Sequence, residues 1–147
     1  MQEKKIKNIF VEGAISPKKI ADSIQNHSDN TAIGAHSIFL GQVRSDIKDG
    51  NTVVAIEYTT YQEMALEKMY EIREGLFAKY NLTCMHVYHS LGTVAVGEIC
   101  LFVFVSSKHR KMAIEACNEL VEAIKFELPI WGKEVYQDQS IVWKENK

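Results

Sequence analysis

Leu82-Thr-Cys-Met-His-Val-Tyr-His-Ser-Leu91 and Glu98-Ile-Cys-Leu-Phe-Val-Phe-Val105, joined by a turn from Gly92 to Gly97, decide the fold class. Both are strand-sized and rich in β-branched and aromatic residues. The chain then changes period. From about Ser107 to Phe126 the apolar residues recur at helical spacing, and Pro129 stops that helix. Beyond it, Val135-Tyr136 and Ile141 to Trp143 read as a closing hairpin.

Working back toward the N-terminus, the same alternation of elements continues. Lys5 to Val11 predicts a short strand, and Ser16-Pro17 a capped helix start whose apolar stripe is Ile20, Ala21 and Ile24, ending near Asn26. Ala32 to Val43 and Val53 to Tyr58 read as strands, with Asp49-Gly50 as the hairpin signal between them. Thr60 and Glu63 form a capping box for a helix running to Tyr80, with Asn81 at its exit. This order of elements favours an α+β fold with a largely antiparallel sheet. With 147 residues, two prolines and no Ser/Gly-rich linker, a single domain over 1–147 is expected.

Lys plus Arg is 17 and Asp plus Glu is 19, a formal net charge of −2 that argues against coating nucleic acid through bulk charge. Aromatic residues are not interleaved with basic ones as a single-strand platform requires. No apolar run approaches the roughly 20 residues of a membrane span, and the polar Met1 to Lys7 stretch lacks the core of a secretory signal. The three cysteines, Cys84, Cys100 and Cys117, lie in apolar segments and read as free thiols in a cytoplasmic, reducing setting. Cys84 and His86 alternate onto one strand face and His89 onto the other, and no second ligand cluster completes a zinc site, so no metal or cofactor is expected.

Two features point to chemistry. If Ser107 caps the third helix, Lys108, His109, Arg110 and Lys111 fill a first turn where positive charge opposes the helix dipole. Free backbone N–H groups with basic side chains describe an anion site, most naturally for phosphate; a solvated basic patch balanced by Glu115 is the competing reading. The second feature is Lys125. With 100° per residue and Cys117 at zero, Ile114, Leu120, Val121 and Ile124 fall within about 60° and Lys125 lies at about 80°, on the border of the apolar arc. A lysine there is either partly desolvated, with a freed amine, or a last-turn cation that snorkels to water. Trp131 is either a pocket wall or core, and Arg44, at a strand end, is either a substrate grip or a surface arginine.

Phe39-Leu-Gly-Gln-Val-Arg44, Ser107-Lys-His-Arg110 and Lys125-Phe-Glu-Leu-Pro-Ile-Trp131-Gly-Lys-Glu134 together resemble the large, catalytic subunit of molybdopterin synthase, over nearly the whole chain. The resemblance implies an α/β-hammerhead with an added antiparallel β subdomain and a homodimer core. Each protomer would bind a small ubiquitin-like sulfur carrier ending in Gly-Gly, giving a heterotetramer. The carrier's thiocarboxylate would deliver two sulfurs to cyclic pyranopterin monophosphate, opening its cyclic phosphate and forming the molybdopterin dithiolene. This chain ends Lys144-Glu-Asn-Lys147 without Gly-Gly, so the sulfur should come from a partner.

By position, the resemblance makes Lys125 the principal catalytic lysine. Val43 and Arg44 would hold the substrate, and His109 and Arg110 would contact the pterin phosphate from across the dimer. Many members carry a lysine directly after the aromatic that follows the proline. Here that place is Gly132, with Lys133 and Glu134 after it. Either Gly132 lets Lys133 swing into the site as a second catalytic and binding lysine, or that role has moved; Glu134 keeps its matching position. A non-catalytic phosphate-binding or partner-docking module of the same fold is the alternative.

Overall fold

The computed structural model describes residues 6–146, which form three helices and eight strands. In chain order these are β1 (Phe10–Glu12), α1 (Pro17–Asn26), β2 (Ala35–Gln42), β3 (Ile47–Lys48), β4 (Asn51–Thr60), α2 (Gln62–Lys79), β5 (Cys84–Ala95), β6 (Ile99–Ser107), α3 (Arg110–Glu127), β7 (Ile130–Tyr136) and β8 (Ile141–Trp143). The α+β expectation is borne out. The sheet runs β2-β6-β5-β4-β7-β8, antiparallel throughout, while β1 pairs parallel with β5. The strand expected over 5–11 begins only at Phe10, and Lys5 lies outside the described residues.

β6 is the centre of the molecule. From Cys100 to Ser107 every residue is buried, because both of its faces are covered. Leu101, Val103 and Val105 pack with Met85 and Val87 against Met69 and Leu76 of α2 and Ala116, Leu120 and Ile124 of α3. Phe102 and Phe104 point the other way, toward Ile15 and Ile20 of the α1 side. On α1, Ser16 Oγ accepts from the Lys19 N–H, as its Ser-Pro start predicts. The expected stripe is corrected, since Ile24 stays 43% exposed. Ile20 faces the sheet as expected, but Lys19 joins it in place of Ile24, and the same helix face carries Ser23 and His27.

Asp49 and Gly50 take φ of 52° and 75°, the left-handed pair that a two-residue hairpin needs between β3 and β4. The Thr60–Glu63 capping box does not form. Tyr61 is the N-cap of α2 without a side-chain bond, because Thr60 Oγ1 donates 2.8 Å to the Pro129 carbonyl instead. The turn expected over Gly92–Gly97 is shorter than its two glycines suggest. β5 runs through Gly92 to Ala95, changing neighbours from β6 to β4, and the reversal is closed by Glu98 N–H on the Ala95 carbonyl at 3.0 Å.

Candidate active site

Ile124 and Leu120 seat the last two turns of α3 in the core, and the helix stops where Leu128 turns extended before Pro129. The buried face is Ala113, Ala116, Cys117, Leu120 and Ile124, rotated away from the arc read from the sequence, and Ile114 is 56% exposed. Small residues at 113 and 116 let the helix lie close on β2 and β6, which turns Ile114 outward. Lys125 is half-buried all the same. Burial and the neighbouring charge of Lys144 lower its amine pKa, with the Cys100 thiol acting in the opposite direction. Asn146 Nδ2 donates 2.9 Å to the Lys125 carbonyl and ties the C-terminal stretch to the end of α3.

The Cys100 thiol and the His89 ring both bear on this amine, and Cys100 belongs to a wider apolar group. Val43, Ile56, Tyr58, Val94 and Cys100 form one buried cluster. The Tyr58 ring stands edge-on to His89, with centroids 5.1 Å apart. Its hydroxyl is buried with no hydrogen-bond partner, and burial next to Cys100 pushes the phenol up. Cys100 Sγ donates to the Gly41 carbonyl at 3.4 Å, where β2 bulges. His89 Nδ1 bonds the Ser90 carbonyl at 2.7 Å, which makes Nδ1 the protonated nitrogen and leaves the lone pair on Nε2. Burial pushes the His89 pKa down to about 4, helped by the charges of Lys125 and Lys144.

Gly132, in the place directly after Trp131, is closely packed. It pairs with Tyr58, and a Cβ there would sit 3.0 Å from Ile56 Cγ2 and 3.3 Å from the Tyr58 ring. Strand alternation then sends Lys133 to the opposite face, where its amine lies 4.8 Å over the Trp143 ring, while Glu134 returns to the Tyr58 side. The expectation that Lys133 swings in beside Lys125 is corrected. The second cation at Lys125 is Lys144, whose N–H donates 2.8 Å to the Gly132 carbonyl. Sequence spacing offered no signal for Lys144, Tyr58 or His89, because pairing of β4, β5, β7 and β8 assembles them. Trp131 is 49% exposed and belongs to no core.

Val43 is 1% exposed and belongs to the Tyr58 cluster. Arg44, the next residue, projects into solvent and holds Asp46 at 3.2 Å. His109 and Arg110 lie elsewhere. Fifteen residues of helix separate Arg110 from Lys125, about 22 Å along the axis, so one chain does not bring the two cationic groups together.

The α3 cap is also corrected. Ser107 ends β6, and its hydroxyl donates to the Asn81 carbonyl at 2.8 Å; His109 is the N-cap and makes no side-chain capping bond. Only Arg110 and Lys111, of the four basic residues, are helical, and the first turn holds no acidic residue to balance them. Gly34 fixes this junction. Its N–H donates 3.0 Å to the Ser107 carbonyl, and a Cβ at 34 would collide with the Lys108 carbonyl oxygen. Gly34→Ala should therefore cost about 1–3 kcal/mol, read as a lower denaturant midpoint at unchanged slope.

His27, Cys84 and His86 are the one group of His, Cys, Asp or Glu side chains among the described residues spaced to hold a metal ion. Alternation puts Cys84 and His86 together as expected, and the third donor arrives from the end of α1. No described helix is long and apolar enough to cross a membrane.

Residues 11–127 match the family model described as MoaE protein. The chain is 42% identical over 117 residues to molybdopterin synthase catalytic subunit 1 of Aedes aegypti, covering 78% of this chain and 75% of that one. It is 40% identical over 127 residues to the Drosophila grimshawi molybdopterin synthase catalytic subunit, covering 82% of this chain but only 35% of that longer protein. The crystal structure of Staphylococcus aureus molybdopterin synthase superposes with a TM-score of 0.81 at 30% identity, over 96% of this chain and 99% of that one.

Proposed function

From the chain's membership of the MoaE protein family, established by the match over residues 11–127, we propose that it is the catalytic subunit of a molybdopterin synthase, a cytoplasmic sulfurtransferase. The observation that carries the reading is the Lys125 amine, desolvated beside Lys144 and next to the Tyr58–His89–Cys100 cluster. A lysine with a lowered pKa gives up its proton more readily, so its amine can exchange a proton with the reacting groups and carry charge as negative charge builds on a nearby atom. The substrate is cyclic pyranopterin monophosphate. The sulfur arrives as the C-terminal thiocarboxylate of a small ubiquitin-like carrier whose Gly-Gly tail enters beside Lys125. In each delivery the thiocarboxylate sulfur bonds to the pterin and water then cleaves the acyl–sulfur bond, releasing the carrier as its ordinary carboxylate; two deliveries open the cyclic phosphate and leave the dithiolene.

The roughly 22 Å between Arg110 and Lys125 gives the reading its quaternary form. His109 and Arg110 serve the pocket of a second protomer in a homodimer, with Arg44, Val43 and Glu134 on the Lys125 side. Two carriers then complete a heterotetramer. Cationic side chains at an uncapped helix N-terminus neutralise the pterin phosphate, and Lys125 handles the proton.

Complementation tests this assembly. With thiocarboxylated carrier and pterin, His109→Ala/Arg110→Ala should weaken substrate affinity about 10- to 100-fold, the worth of lost charge-assisted bonds. Mixing that variant with a Lys125→Met chain should restore about a quarter of wild-type turnover, since half of randomly mixed dimers hold one intact site of two. No recovery on mixing places both groups in one chain's pocket. Phosphate binding without any dithiolene product would leave a non-catalytic module.

A further inference from the structure

We propose that His27, Cys84 and His86 form a binding site for a divalent transition metal of the zinc class, on the sheet face opposite α3. Their donor atoms all lie within 4.8 Å of one another. His86 Nε2–H donates to His27 Nε2 at 3.0 Å, and a metal would take the place of that proton, the spacing being close to the roughly 3.3 Å of two imidazoles on a tetrahedral zinc ion with bonds near 2.05 Å. The tautomer of His27 is set from behind. Its Nδ1 lies 2.6 Å from the Ser23 carbonyl, so that nitrogen carries the proton and Nε2 presents its lone pair toward His86. A backbone carbonyl holding the far N–H of a ligating imidazole is the usual support behind a metal site.

The donor set decides the class of ion. Two imidazoles and a thiolate suit zinc and its neighbours, whereas calcium and magnesium require oxygen ligands. Binding releases the Cys84 thiol proton to solvent, and three protein donors leave a fourth position for water. Phe104 walls the site, 4.7 Å from the His27 ring and 4.9 Å from His36, whose Nδ1 is engaged by Ser106 Oγ at 2.6 Å. The site also answers a packing problem, for α1 has no buried residue of its own. A metal shared between its C-cap, His27, and β5 fastens that helix to the sheet.

The experiment uses the purified full chain, freed of metal with chelator, held in a non-thiol reductant, and titrated with Zn²⁺ alone or Co²⁺ alone. One equivalent should bind. Cobalt should give a thiolate charge-transfer band with tetrahedral d–d bands, and Zn²⁺ should slow amide exchange in α1. Cys84→Ser should abolish the charge-transfer band, and His27→Gln should weaken Zn²⁺ binding by at least about 10-fold. Cys117→Ser should leave the band in place. Absence of stoichiometric uptake overturns the site, as does an affinity indifferent to His27→Gln and Cys84→Ser, or a band that follows Cys117.

Discussion

Lys125→Met should melt at a higher temperature than the wild type and turn over about 10²- to 10⁴-fold more slowly, the range for loss of a positioned acid–base group. The two effects have one cause. The folded chain holds this amine where its charged form is disfavoured, by burial first and by Lys144 second. The unfolded chain binds that proton more tightly, so the wild-type lysine destabilises the fold at pH 7 and ceases to do so as pH rises toward the ordinary lysine value of 10.5. Methionine fills similar volume without the charge and removes the penalty. Stability exchanged for activity at one residue marks a site kept for chemistry. Lys144→Ala supplies the converse. Without its neighbour the Lys125 pKa rises, so the ascending limb of the rate–pH profile, which follows the neutral amine, should move to higher pH while the fold stays intact. A Lys125→Met enzyme with normal turnover would remove the amine from the mechanism.

Features set by residues next to one another in the chain were the legible part, and the candidate site residues were read in the same local way. Lys125, Arg44 and the His109–Arg110 pair stand in contiguous motifs, and the Ser16–Pro17 cap and Asp49–Gly50 turn depend on neighbouring residues alone. The failures are tertiary. Thr60 was free to cap α2 only until the Pro129 carbonyl came within reach of its hydroxyl, a contact across 69 residues. Ser107 resembles a cap because a helical period follows it, yet Asn81 takes its hydroxyl and the helix starts only at Arg110. Lys133 and Lys144 show the same thing from the functional side. Period-two alternation turns Lys133 away, and the pairing of β7 with β8 brings in Lys144. His27 over His86 was beyond any local pattern, since it depends on how α1 crosses β5.

Acid should destabilise the wild-type protein by about 3 kcal/mol through His89 alone, progressively between pH 6.5 and pH 4. Above pH 6.5 the ring is neutral in both states and costs nothing. Between the two values the unfolded chain takes a proton that the buried ring refuses, so stability falls by up to about 1.4 kcal/mol per pH unit. Below pH 4 the loss is complete. Urea midpoints across this range measure it, and the comparison with His89→Asn isolates it from His86, which burial also lowers to about 4. Asparagine keeps a donor for the Ser90 carbonyl, so the variant should lose some stability at neutral pH through its smaller side chain and show a flatter acid limb. A limb as steep as the wild type's would mean that His89 protonates freely in the folded state. The position of the ring ties this to catalysis. A protonated His89 would add another cation near Lys125 and Lys144 and hold the amine further from the charge it must accept. The coupling is reciprocal: Lys125→Met removes one of the charges that lower His89, so that variant should itself lose less stability in acid than the wild type does.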